Sequence, residues 1–435
     1  MEGWRRNFYV VWLGNFITSV GMMAFLPLFP LHLEELGYHD PSDQQIWSGL
    51  LVAAAPFTAA LMGPFWGALG DRMGRRPMLL RANAAIVLFV GLMVFAQNPW
   101  QLLVLRLLQG LFSGFVAPAM TLVSVAAPLD RQGRVMGLMQ TGVVAGSVLG
   151  PCVGGLVGDH FGHRNAFLLA AALSLFSAVL IYFLVEETHA PKRSPMGEET
   201  PAAMRAASGW VGAVVRDLRA LLEAPALRWM LISVFFLRLG AHLPEPNLAI
   251  FVQELEGHGD RLIGTATGAG FSATALATLL FLSFWGRLSD RLGAARALFV
   301  CALGAALSYL PMGFLHRLDS LYFWRFVSGA MLAGLSPAAY SLAARYSTRE
   351  NRGGAYGITF SSIGMGNAIA PAIGGFLAAG IGVRNVFLVS ALVMALCAAH
   401  AFHGMLAGVH SLDRVPESLP AETEGEPPKS PLALD

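Results

Sequence analysis

Charge is what this sequence has least of. Only 13% of its 435 residues are Asp, Glu, Lys or Arg, about half the share that a water-facing surface demands of a soluble chain. The several soluble domains that length alone would suggest are therefore excluded. Lysine is nearly missing, with Lys192 and Lys429 standing beside 27 arginines. The formal net charge of +2 offers no basic face, so no nucleic-acid partner is expected. Cysteine is scarce as well. Cys152, Cys301 and Cys397 each lie in an apolar stretch and form no C-x-x-C pair. A disulfide framework or a metal site is not expected, and the thiols read as small buried apolar groups. The sequence has no G-x-x-x-x-G-K-[ST] loop, no H-E-x-x-H and no G-x-S-x-G. Nucleotide-driven and hydrolytic chemistry thus lack their usual signatures, and neither an enzyme nor a cofactor is expected.

What is present is apolar residue, 55% of the chain, with a mean hydropathy of +0.58. It comes in segments long enough to cross a bilayer, at about 20 residues each. Spans are expected at 8–31, 46–69, 79–97, 101–123, 136–158 and 165–185, then at 227–251, 264–286, 295–315, 319–342, 355–379 and 384–405. The fold class is all-α, a polytopic membrane protein with twelve transmembrane helices. Arg5 and Arg6 before an apolar run look at first like a signal peptide. The run is too long, contains Pro27 and Pro30, and lacks a small-x-small cleavage site, so it reads as an uncleaved first span. Residues 1–185 would form one six-helix bundle and 227–405 a second. Between them, 186–226 reads as a polar linker whose segment Trp210–Leu222 has the spacing of an amphipathic helix lying on the membrane surface. The tail 406–435 is polar and expected to be disordered.

Arginine placement sets the expected orientation. Of the 29 Lys and Arg residues, 22 fall in the terminal segments and the even-numbered connections, whereas the opposite side holds only Arg164, Arg261, Arg317 and Arg384. Positive loops stay cytoplasmic, so both termini are predicted there. The remaining Arg106, Arg238 and Arg325 lie within spans.

The two halves repeat. GALGDRMGRR (67–76) returns as GRLSDRLGAAR (286–296), and Arg106, Gly110 and Pro118 return as Arg325, Gly329 and Pro337, all at an offset of 219. Pro151 with Gly154-Gly155 returns as Pro371 with Gly374-Gly375, and RNAF (164–167) as RNVF (384–387), at 220. Ordered matches at a near-constant offset describe a duplicated six-span unit, two pseudo-symmetric bundles of the kind seen in one large transporter class.

The repeated residues also carry a resemblance. Gly67-x3-Asp71-Arg72-x-Gly74-Arg75-Arg76, Leu103-x2-Arg106-x2-Gln109-Gly110, Gly137-x8-Gly146-x3-Gly150-Pro151-x2-Gly154-Gly155 and Gly21-x5-Pro27-x2-Pro30 resemble, in order, the loop 2–3, fourth-span, fifth-span antiporter and first-span motifs of the major facilitator superfamily. Together they resemble its drug:proton antiporters with twelve spans. The resemblance implies a monomeric carrier in the inner membrane that uses the proton motive force to export small amphipathic compounds. An exchanger or carrier of one defined metabolite, such as a sugar, lysolipid or siderophore, has the same fold and is the alternative.

The motif residues suggest distinct roles. Asp71, Arg72, Gly74 and Arg75, with Gly67, would form a tight cytoplasmic turn whose charges pair across to the other bundle. Asp130 is a candidate partner in the next cytoplasmic loop, and Asp290 and Arg291 hold the equivalent turn. The resemblance implies a conformational switch there; the plainer reading is that the arginines fix topology. Gly146, Gly150 and Gly154 recur every four residues and would give a smooth face for close packing, with Pro151 kinking the helix. A charge in the bilayer centre costs roughly 2.5–3.5 kcal/mol on insertion scales. Arg238, His242 and Glu245 at i, i+4 and i+7 would share one helix face. Glu245 is the one deep carboxylate, since Glu34, Glu35, Asp159 and Glu186 fall at span ends. Glu245 is the candidate proton-coupling residue, with His242, Arg238 and Arg106 as its supporting set. A structural ion pair is the competing reading for Glu245. Asn15, Gln140, Asn247, Asn367 and Arg325 are candidates to line a substrate cavity.

Overall fold

The computed structural model describes residues 3–114, 119–120, 122–123, 132–187, 225–256, 262–347 and 352–406. The proposed surface helix 210–222, Asp130 and the tail beyond 406 lie outside the described residues. The described chain is helical. Its first half contains α1 (Gly3–Phe25), α2 (Phe29–Glu35), α3 (Pro41–Met73), α4 (Arg75–Met93), α5 (Pro99–Phe112), α6 (Gln132–Phe161) and α7 (Arg164–Leu184). The second contains α8 (Pro225–His242), α9 (Leu248–Glu256), α10 (Ile263–Leu292), α11 (Ala294–Tyr309), α12 (Leu318–Leu332), α13 (Leu335–Arg345), α14 (Arg352–Ile381) and α15 (Val383–Leu406).

Local signals explain the boundaries. Asp40 caps α3 by accepting from the Ser42 amide at 2.9 Å, and Asn98 caps α5 from the Gln101 amide at 3.0 Å. Each cap is followed by a proline at the first helical position, where the missing N–H costs nothing. Gly74 and Gly293, at φ 97° and 88°, turn the chain between α3 and α4 and between α10 and α11, a backbone region that a side chain would strain.

Among the described residues eleven helical segments are long and apolar enough to cross a membrane, at eleven of the twelve expected positions. The exception is the fourth. There α5 runs for 14 residues and then gives way to extended Ser113 and to Gly114 at φ 104°, with 115–118 outside the described residues.

The duplication is visible bond by bond. Trp66 Nε1 donates to the Leu111 carbonyl at 2.7 Å, and Trp285, 219 positions on, donates to Ala330 at 2.6 Å. The first span breaks into a 3-10 turn at Leu26–Leu28, and its counterpart breaks at Glu245–Asn247. Two bundles result. They meet chiefly along α6 with α10 and α3 with α14.

Candidate functional site

The four helices that join the bundles touch through glycines at one end. We call the end that carries Gly3 and Leu406 the near end. At the far end, Gly49 of α3 lies on the Pro371 carbonyl of α14, and Gly268 of α10 lies on the Pro151 carbonyl of α6. Gly155 is seated on Gly264, and Gly375 on Gln45. In all four places a Cβ would overlap backbone of the opposite bundle. Backbones can approach this closely only where side chains are absent. Toward the near end the same helices offer open space, with nothing within 4 Å of the Cβ positions of Gly63, Gly137, Gly286, Gly357 or Gly364. The bundles are thus in backbone contact at the far mouth. Gly49 and Gly268 were not among the expected site residues, because a lone glycine in an apolar helix carries no signal of what it will face.

The fifth-span motif divides its work. Gly146, Gly150 and Gly154 lie against α1, over Ser19, Val20 and Ala24, while Gly155 turns to the other bundle and Gly137 is exposed. Pro151 stays inside the continuous helix α6.

Between the two mouths lies a cluster of polar side chains. The expectation that Arg238, His242 and Glu245 share one helix face is corrected here. Helix α8 stops at His242, and Pro244 and Pro246 flank Glu245 in the 3-10 turn, because proline cannot donate to a continuing helix. The break folds Glu245 back onto the preceding turn, where His242 Nδ1 is hydrogen-bonded to Glu245 Oε2. Both side chains are about a quarter exposed. Arg238 and Arg325 lie within electrostatic reach of this carboxylate, and Arg238 also of Tyr309 and Tyr340. Asn247, two residues on, is buried and donates to the Gly374 carbonyl at 3.4 Å. Asn15 is buried on α1 with both amide atoms unpartnered, and the amide oxygens of Asn247 and Asn367 have no partner among the described residues. Gln140 is exposed on α6.

Arg106 serves a different place. It is buried, with Nε donating to the Leu51 carbonyl at 2.8 Å, Nη1 to Gln109 Oε1 at 2.7 Å and Nη2 to Val52 at 3.4 Å. Its guanidinium lies 5.6 Å from the ring centroids of both Phe25 and Phe29. Its bonds hold α5 to α3 and none of them reaches Glu245. Arg325 repeats the first bond, Nε to the Gly270 carbonyl at 3.3 Å, but its Nη1 and Nη2 are buried without a partner among the described residues.

At the near end Gly67, Asp71 and Arg72 fall on the last turns of α3, Gly74 in the turn and Arg75 at the start of α4. The side chains of Asp71 and Arg72 lie outside the described set. Glu187, not foreseen as a partner, accepts from the Arg76 amide at 2.9 Å and so caps α4. Asp290 and Arg291 are exposed at the end of α10, with no partner among the described residues. Among the described residues no group of His, Cys, Asp and Glu has the geometry to hold a metal ion.

Comparison with known proteins gives one consistent answer. The sequence profile described as Major Facilitator Superfamily matches residues 11–266 and 261–433. Multidrug resistance protein MdtG of Salmonella paratyphi A is 33% identical over 405 residues, covering 92% of this chain and 96% of that protein. The Salmonella arizonae protein of the same name is 32% identical over 405 residues with the same coverage. A solved bacterial homolog of the human lysosomal transporter Spinster, in an inward-facing and unoccupied conformation, superposes with a TM-score of 0.77 at 16% identity, covering 96% of this chain and all of that one. The human organic anion transporter MFSD10 superposes at 0.65 with 20% identity, covering 92% and 100%. At these identities the two structures speak for the fold.

Proposed function

Since this chain belongs to the major facilitator superfamily, we propose that it is a proton-driven antiporter that exports drugs or other small amphipathic compounds by alternating access. The positive charges crowd the near end, so we place that end in the cytoplasm of a cell whose inner membrane holds the protein. On this reading the sealed far mouth faces outward and the carrier rests open toward the cytoplasm. We read the protein as a carrier without catalysis of its own, with no cofactor beyond the proton motive force, working as a monomer.

One observation carries the coupling proposal. Glu245 sits in a helix break inside its span, hydrogen-bonded to His242 and within reach of two arginines. A carboxylate in such a place trades a proton for these partners as water access alternates between mouths, and each proton moving inward yields about 2.3 kcal/mol per 100 mV. Arg325 supports this role because its unpaired guanidinium nitrogens can take up the carboxylate once it is deprotonated. Arg106 we assign to holding the first bundle together. Asn15, Asn247 and Asn367 are our candidates for substrate contact.

The competing reading, a carrier of one defined metabolite, has an observation of its own: a few unpartnered buried amides are what a site uses to fix one ligand's orientation. The test uses purified protein in proteoliposomes. Adding a panel of drugs is expected to move protons in wild type, and Glu245→Gln is expected to bind drug but move none. Proton movement that follows one metabolite and no drug would favour the competing reading.

A further inference from the structure

Besides its glycines, several polar contacts hold the far mouth shut, among them Gln253 donating to Glu34 at 3.0 Å and Ser272 to the Val148 carbonyl, and one further contact departs from the repeat. Asp159, near the end of α6, reaches across to the first turn of α10. Its Oδ1 accepts from the Gly264 amide at 2.9 Å, and its Oδ2 accepts from the Thr265 amide and hydroxyl, each at 2.6 Å. The side chain is 4% exposed. Helix α10 has no side-chain cap from its own Leu262, so its cap comes from the other bundle. The equivalent helix α3 is capped by its own Asp40. The position equivalent to Asp159 is Ala379. Duplication alone therefore does not call for this bond. Charge-assisted bonds to a helix N-terminus are among the stronger hydrogen bonds, and these must break before the far mouth can open.

A proton-binding group stands beside the bond. His163 Nε2 lies 4.0 Å from Asp159 Oδ1 and has no hydrogen-bond partner among the described residues. Its Nδ1 is 2.9 Å from Glu35 Oε1, its backbone amide donates to the same oxygen at 3.1 Å, and His32 Nδ1 is 3.1 Å from Glu35 Oε2. A neutral imidazole that donates from Nδ1 to Glu35 turns a lone pair toward Asp159. A protonated one turns an N–H there.

We propose that Asp159 and His163 form a proton-responsive latch on the far mouth: the Asp159 carboxylate holds α10 shut, and a proton on His163 gives that carboxylate a partner in its own bundle and so eases opening. The sign follows from the alternatives open to Asp159. With His163 neutral, opening leaves a carboxylate unpaired and the α10 amides uncapped. With His163 charged, the carboxylate that lets go of α10 can close the present 4.0 Å gap to a full charge-assisted hydrogen bond, which offsets part of the loss. Of the other ionisable groups here, Glu34 accepts from Gln253, Arg384 pairs with Glu254 at 3.4 Å, Arg317 pairs with Asp319, and His160 bonds to the Leu156 carbonyl. Tyr322 donates to the Ala266 carbonyl, and Arg164 is exposed. The first turn of α10 brings no titratable side chain of its own.

The inference rests on alternating access but not on the coupling role of Glu245, and its test needs no substrate. The full chain in nanodiscs carries spin labels at positions 43 on α3 and 381 on α14, both exposed and both on the helix pair that does not carry the latch. Interlabel distances are recorded from about pH 8 to about pH 5.5, across the ordinary imidazole range. Wild type is expected to raise its population of long distances roughly tenfold toward acid, within the usual span of coupling energies. His163→Gln is expected to lose that rise, and Asp159→Asn to open more at every pH. Thr265→Ala removes one of the three bonds while keeping both titratable groups, so it is expected to open more yet keep the rise. A His163→Gln protein that titrates like wild type overturns the proposal, as does a Thr265→Ala protein that stays as closed as wild type. The second outcome stands even if Asp159→Asn does not fold.

Discussion

Arg325 keeps one of the three hydrogen bonds that Arg106 makes. Both donate from Nε to a carbonyl of the second helix in their bundle, Leu51 and Gly270, which are equivalent in the repeat. They part at the next shell. Gln109 takes the Nη1 proton of Arg106, while its counterpart Ser328 is too short and turns its hydroxyl to the Arg325 carbonyl. The Gln109/Ser328 difference accounts for the acceptor that Arg325 lacks at Nη1, and the second bundle holds, within electrostatic reach of Glu245, an arginine whose terminal nitrogens have no hydrogen-bond partner among the described residues.

Gln109→Ser recreates in the first bundle what the second already has. It leaves Arg106 Nη1 buried without its acceptor, a loss of about 1–3 kcal/mol for a buried donor. The melting temperature in detergent is expected to fall while substrate-driven proton movement persists in the folded fraction. Arg325→Gln is expected to show the reverse, near-normal melting with transport lost. Equal melting and equal transport in both variants would remove the distinction between the two arginines.

The fifth-span motif gives a second contrast within one helix. A Cβ on Gly154 would overlap the Ala24 backbone, whereas one on Gly137 meets nothing within 4 Å. Gly154→Ala is therefore expected to reduce folded yield and lower the melting temperature, since overpacking costs about 1–3 kcal/mol or more. Gly137→Ala, at an equally fixed motif position, is expected to be neutral or slightly stabilising through helix propensity. Thermal melts of the two proteins side by side check this.

Much of the fold was legible in the sequence because the bilayer dictates it. Span length and the offset of 219 are long-range regularities, and they survive ignorance of packing. The site was legible in part. Arg106, Arg238, Arg325 and Glu245 stood out because charge is expensive in lipid. Their partners did not, because helix periodicity says which residues share a face and nothing about which helix comes to meet it. Pro244 and Pro246 were a readable signal that the face breaks at Glu245. Asp159 was passed over as a span-end acid, although its contact with Thr265 bridges the bundles. Only the folded arrangement distinguishes a solvated terminus from a cap given to another helix.

The glycine seal predicts a conformational effect. Gly268 lies on the Pro151 carbonyl and Gly49 on the Pro371 carbonyl, so a methyl at either position forces the far ends of α6 and α10, or of α3 and α14, apart. Neither contact stabilises the individual bundles. Gly268→Ala is expected to fold with near-normal stability but to shift the resting population toward an open far mouth. The check is labelling of a cysteine that replaces Ser272, which is buried against the first bundle in the sealed structure, by a reagent that does not cross the membrane. Unchanged labelling with unchanged stability would mean that the seal yields elsewhere.

The helix break at Glu245 separates the position of the carboxylate from its chemistry. Pro27 and Pro246 are equivalent in the repeat, and each sits in a 3-10 turn that interrupts its span. The first break carries Leu26 where the second carries Glu245. Replacing Pro246 with Ala restores an amide donor and favours a continuous helix. In a continuous helix Glu245 would still be one turn beyond His242, a spacing that permits contact, as His32 and Glu35 show in α2, but the carboxylate would be displaced relative to Arg238 and Arg325 on the neighbouring elements. Pro246→Ala therefore keeps the carboxylate and removes its setting. Drug-triggered proton movement in proteoliposomes is expected to drop about tenfold or more, corresponding to a change of roughly 1.4 kcal/mol. Pro27→Ala makes the same backbone change where no carboxylate is carried, and it is expected to retain coupling. If both variants lose coupling equally, the breaks serve the motion of the helices and not the placing of Glu245.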